Sequence, residues 1–114
     1  MEDPKISLII PAYNEEQSLQ EYMPQLLKEC INNNWKLIVV NDGSKDNTLS
    51  VLKQHCTLGV LSIIQHKLSR GYGGALKSGI MAVDTEFVIT IDADGQHRIE
   101  DVHKNVLFYY GKGC

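Results

Sequence analysis

Four short apolar runs, each followed by a stretch with helical spacing, predict an α/β fold built on a mostly parallel sheet. The runs are apolar at consecutive positions rather than alternate ones, which marks strands buried on both faces. Polar segments rich in Asp, Asn and Gly follow the first, second and fourth runs directly. Together these observations predict a three-layer α/β/α arrangement in the order βαβαβαβα. Residues 1–114 are enough for one modest domain.

Residues 5–10 (KISLII) form the first run, which Pro11 ends. Residues 16–33 carry Leu19, Met23, Leu26, Leu27, Cys30 and Ile31 at helical spacing. Pro24 inside that stretch predicts a kink or two helical pieces. Asn32, Asn33 and Asn34 supply a stop. Residues 36–40 (KLIVV) are the second strand, and Asp42-Gly43 turns the chain. Asp46, Asn47 and Thr48 offer caps for a helix reaching His55. Residues 60–64 (VLSII) are the third strand. A helix over 71–83 follows, with Leu76, Ile80 and Val83 on one face. Residues 87–91 (FVITI) are the fourth strand, and the spacing over 99–109 predicts a last helix.

The bulk composition narrows the function. The chain is 43% apolar and 22% charged, which excludes wholesale disorder. A net charge of −3 with interspersed signs argues against a nucleic-acid partner. Cys30, Cys56 and Cys114 are odd in number and lack CxxC spacing, so neither a disulfide framework nor a zinc knuckle is predicted. That pattern suits a reducing compartment, here the cytoplasm. No run approaches the roughly 20 apolar residues that span a bilayer. His55, His66 and His103 read as surface residues, and no Ser-His-Asp constellation can be placed.

Right-handed crossovers bring the carboxyl ends of all parallel strands to one edge, where ligands bind. The segments PAYNEE, NDGSKDN and DADGQH therefore converge there. PAYNEE is either a helix start, with Asn14 as cap and two acids against the dipole, or a loop whose backbone and Tyr13 contact a base or ribose. Asp42 either makes a tight Asp-Gly turn or hydrogen-bonds a ribose or base edge. Arg70-Gly71-Tyr72-Gly73-Gly74 is either a close-packed helix start or a diphosphate contact, with Arg70 placed to touch an anion.

Asp92 and Asp94 stand one residue apart at a strand end, so both carboxylates can face one hard cation. Two acids at a ligand crevice are costly without a counter-charge. A magnesium or manganese ion is the predicted occupant rather than solvent alone.

PAYNEE, VNDGSKDNT, RGYGGALKSGI and DADGQH together resemble the family 2 glycosyltransferases of the Rossmann-like GT-A fold, in that family's order, over about residues 5–110. DADGQH, with Gln96 in place of a third acid, is most similar to the branch that charges polyprenyl phosphates. The resemblance implies that Asp92 and Asp94 are the DxD motif, with Asp94 and Gln96 ligating Mg2+ or Mn2+. It implies that Pro11, Ala12, Tyr13 and Glu15 line the nucleotide base and that Asp42 contacts base or ribose. It implies a UDP- or GDP-sugar donor, inversion at the anomeric carbon, and a polyprenyl phosphate or glycan as acceptor at the cytoplasmic face of a membrane.

Two departures accompany the resemblance. Arg98-Ile99-Glu100 stands where the family often has Pro and Glu, and YYGKGC falls where it begins another strand and the acceptor half. A donor half of this kind is expected to leave a sheet edge open to self-association. The competing expectation is a non-catalytic domain that binds nucleotide or dimerises. A receiver-type phospho-acceptor domain is disfavoured, because it needs an acidic pair where the first strand here ends in Pro-Ala-Tyr-Asn.

Overall fold

The computed structural model describes residues 3–56, 59–93 and 108–109. The elements run β1 (Ile6–Ala12), α1 (Glu16–Asn33), β2 (Lys36–Asp42), α2 (Thr48–Gln54), β3 (Leu61–His66), α3 (Gly71–Met81), β4 (Phe87–Thr90) and β5 (Phe108–Tyr109). The sheet order is β3-β2-β1-β4-β5. β1 pairs in parallel with both β2 and β4, and β2 with β3, while β5 lies antiparallel to β4. This is the mostly parallel α/β sheet the apolar runs predict.

Strand alternation assigns the two faces. Leu8, Ile10 and Ala12 of β1 join Leu37, Val39 and Ile89 beneath α1 and α2. Ile9 points the other way and packs with Ile38, Val40 and Val88 against Ala75 of α3 and Val83. Burying each of these Leu, Ile and Val side chains contributes about 1.5–3 kcal/mol. Helix α3 approaches β1 closely: a Cβ on Gly79 would lie 2.6 Å from Ile9 Cγ2. Both layers thus close on β1, the strand whose carboxyl end opens the candidate site.

Several local expectations change. Pro24 sits inside one continuous helix, α1. Pro24 is exposed, whereas Met23, Leu26 and Leu27 beside it are buried. Anchoring of that buried face offsets the missing backbone donor. β1 runs through Pro11 to Ala12, since Pro11 and Ala12 keep register with Val40 and Asn41. β2 runs on to Asp42, in register with His66. Asn34 adopts the left-handed conformation (φ 57°) that ends α1. Cys30 is buried on α1, and Cys56 is exposed beyond α2. Of the helix expected over 99–109, residues 108 and 109 are instead strand β5, because their backbone pairs with Val88 and Phe87; the rest lies outside the described residues.

Candidate functional site

The first two loops are built as one unit. Asn14 has a left-handed backbone (φ 52°), so its side chain turns away from α1. Its Oδ1 accepts from the Lys45 N–H at 2.8 Å, and its own N–H donates to Ser44 Oγ at 2.9 Å. The helix cap expected of Asn14 therefore comes from the loop that follows β2. Glu15 N–H donates to Thr48 Oγ1 at 3.1 Å, and Glu16 N–H to Asp46 Oδ2 at 3.3 Å. Asp46 Oδ1 meanwhile accepts from the Thr48 N–H at 2.9 Å and from the Thr48 hydroxyl. One carboxylate thus serves the starts of α1 and α2 together, and Glu16 Oε1 returns a bond to the Asn47 N–H at 3.1 Å. Desolvation pushes the Asp46 carboxyl up, but the Thr48 and Glu16 donors outweigh it and hold the group below its ordinary 3.8.

Asp42 ends β2 and is buried, 4% exposed. Its Oδ1 accepts from the Arg70 N–H at 2.8 Å and lies 2.7 Å from His66 Nδ1. Its Oδ2 accepts from Ser69 Oγ at 2.8 Å and the Gly71 N–H at 3.0 Å. Burial pushes the carboxyl up; the Arg70 N–H, His66, Ser69 and the Gly71 N–H reverse this and leave it below 3.8. The start of α3 is therefore already satisfied by an internal anion.

Where β1, β2 and β4 end, a cavity of about 330 Å3 opens. The chain runs outward from β1 to β3 and returns through α3 to β4 on the other side of β1, so this is the topological switch point of the sheet. Of the residues singled out in sequence, Pro11, Ala12, Tyr13, Glu15, Asp42 and Asp92 all line it. Arg70 does not; its side chain lies back along the first turn of α3, within 2.6 Å of where a Gly74 Cβ would sit. Asp94 and Gln96 lie outside the described residues. Ser69, Gly71, Tyr72, Ala75 and Ala93 complete the wall.

Tyr13 and Tyr72 are both partly exposed there, 46% and 61%. A Tyr inside a glycine run at a helix start is the sequence signal that points to Tyr72. Three carboxylates (Glu15, Asp42 and Asp92) line this cavity, and no Lys or Arg does among the described residues. Asp42 is compensated by its four donors, whereas among the described residues no cationic side chain of the cavity wall compensates Glu15 or Asp92. No group of three metal-ligating side chains occurs among the described residues.

His66 corrects its sequence reading. It is buried, not on the surface, because it ends β3 directly beside Asp42 and beneath α3. Its Nε2 lies 2.9 Å from Ser78 Oγ of α3. Asp42, His66 and Ser78 thus form a hydrogen-bonded chain that the sequence order concealed. Ser78 does not line the cavity, so the chain is scaffold rather than a hydrolytic triad.

The family model for glycosyl transferase family 2 matches residues 7–112. The chain belongs to that family. Among relatives of this family 2 chain is the undecaprenyl-phosphate 4-deoxy-4-formamido-L-arabinose transferase of Proteus mirabilis, 36% identical over 106 residues that cover 90% of this chain and 32% of the relative. S. aureus TarS 1-349 in complex with UDP superposes with a TM-score of 0.73 at 26% identity, covering 88% of this chain and 31% of that one. The mannosyltransferase PcManGT from Pyrobaculum calidifontis, in complex with GDP-Man and Mn2+, shares the fold with a TM-score of 0.71 at 23% identity, covering 82% and 28%. The chain spans less than half the length of the curated relatives it matches. No helix among the described residues is long and apolar enough to cross a membrane.

Proposed function

We propose that this chain is the donor-binding part of a metal-dependent, inverting glycosyltransferase that transfers sugar from a UDP- or GDP-sugar to a polyprenyl phosphate. The observation that carries this reading is the cavity at the β1/β4 switch point. It gathers Tyr13, Asp42, Tyr72 and Asp92 from four separate segments. Its volume suits a small-molecule ligand, and two part-exposed tyrosines offer π-faces to a base. The UDP held by TarS and the polyprenyl-phosphate chemistry named for the Proteus relative support the choice of donor and acceptor.

The electrostatics support a cation. A diphosphate entering among Glu15 and Asp92 meets acids, so it needs a positive partner that this wall does not supply. Asp92 is half-buried at the rim, and its oxygens suit a hard divalent ion. Asp94 and Gln96 would hold Mg2+ or Mn2+ with Asp92 beside them. When bound, the ion would neutralise charge growing on the departing diphosphate.

The protein's own residues do the rest. Pro11, Ala12 and Tyr13 would bound the base, and Ser69 and Gly71, in the turn anchored by Asp42, contribute to the same wall. A polyprenyl phosphate arrives as an anion and needs no general base from this segment. Calorimetric titration with UDP and GDP, with and without Mn2+, tests the reading. Metal-dependent binding of one nucleotide is the expected result. A folded sample that binds neither would sink it.

A further inference from the structure

We propose that His66, which does not itself line this cavity, is a positioning residue for the nucleotide site. It holds Asp42 so that Asp42 can pin the turn at 69–71 as one wall of the cavity. This inference rests on the donor-site reading above for its ligand, and on the hydrogen-bond geometry for its structural half.

The geometry runs in one direction through named atoms. Ser78 Oγ meets His66 Nε2 at 2.9 Å, and His66 Nδ1 meets Asp42 Oδ1 at 2.7 Å. Asp42 then receives the N–H groups of Arg70 and Gly71 and the hydroxyl of Ser69. Gly71 and Tyr72 stand next in the cavity wall. An ionised carboxylate only accepts, so Nδ1 must carry the proton. In the neutral ring Nε2 is then bare and accepts a hydrogen bond from the Ser78 hydroxyl. The imidazole is thereby fixed in orientation from α3, and the carboxylate is fixed from β3. Without the histidine, Asp42 Oδ1 loses one of its two donors inside a site that is 4% exposed. The carboxylate then gains freedom to rotate, and the two amides that open α3 lose a fixed acceptor.

Three variants of the full chain decide the matter. The amide nitrogen of Asn overlays His Nδ1, and that of Gln overlays Nε2. His66→Asn therefore keeps the donor to Asp42, His66→Gln keeps only the Ser78 side, and His66→Leu keeps neither. Each is first shown to give a cooperative melt. Amide hydrogen exchange is expected to quicken at Arg70 and Gly71 in His66→Leu and His66→Gln, and to return towards wild type in His66→Asn. UDP or GDP affinity, measured with Mn2+, is expected to fall about tenfold in His66→Leu and less than about threefold in His66→Asn. Nitrogen NMR of the wild-type imidazole is expected to show a protonated Nδ1.

Unchanged Arg70 and Gly71 exchange in His66→Leu overturns the positioning role. So does a folded His66→Asn that behaves like His66→Leu, or a bare Nδ1 in the wild type. Wild-type chain that binds neither nucleotide overturns the donor-site reading instead, and the exchange experiment still decides whether His66 anchors the turn.

Discussion

Gly43 and Ser69 meet backbone to backbone: a Cβ on Gly43 would lie 2.6 Å from the Ser69 nitrogen and 2.9 Å from the Leu68 carbonyl carbon. Gly43 also has a φ of 71°, a region that L side chains avoid. The turn after β2 and the turn before α3 can approach only because this position has no side chain. That approach lets Asp42 reach the amides of Arg70 and Gly71. Gly43→Ala is expected to destabilise the chain by about 2 kcal/mol or more, since clash and strain coincide. A urea-unfolding midpoint close to wild type would contradict it.

Asn14 separates backbone strain from a hydrogen bond. Its left-handed φ and its bond to the Lys45 N–H act together. Asn14→Ala loses both and is expected to cost about 2 kcal/mol. Asn14→Gly loses only the bond and is expected to cost about 1 kcal/mol. Paired thermal melts give the comparison, and equal costs would show that the backbone conformation contributes nothing.

Acid is expected to loosen the site from the carboxylates outward. Asp42 and Asp46 are both held below 3.8 in the folded chain. A carboxyl with a depressed folded value adds stability that is complete above the unfolded value and is lost as pH falls through the folded one. The contribution of these two groups should therefore be level down to about pH 5 and decline below about pH 4. Asp46→Asn should lower stability near neutral pH and flatten the acid limb. Unfolding midpoints across that range provide the check, and an unchanged acid limb in the variant would count against Asp46.

Asp92 tests the cation. Asp92→Asn is expected to weaken the Mn2+-dependent part of nucleotide binding about tenfold while leaving the melting temperature near wild type, because the side chain is half-buried at the rim. Calorimetry with and without Mn2+ separates the two terms. Equal loss in both conditions would place the effect on the fold rather than the metal.

His66 and Asn14 show where sequence reading stopped. Its strand and helix periods, read position by position, led to the layered sheet, because burial on one or both faces is written in local spacing. The same spacing led to Pro11, Tyr13, Asp42 and Asp92 at one sheet edge, since parallel crossovers bring strand ends together. A cap looked for in Asn14 comes instead from Asp46 and Thr48, 30 and 33 positions away from the amides they receive. A histidine assigned to the surface is buried between Asp42 and Ser78, 24 and 12 positions away.

Local spacing and motif order were enough for the fold class, the family and the sheet edge at which the cavity-lining residues gather. Tertiary structure alone decided which donor satisfies which acceptor: that Asp42 faces the start of α3, that Arg70 leaves the cavity, and that His66 enters the core. The physical reason is range. Apolar periodicity records where each residue lies relative to its own strand or helix. A hydrogen-bond partner is chosen by the approach of two segments whose separation along the chain carries no such period.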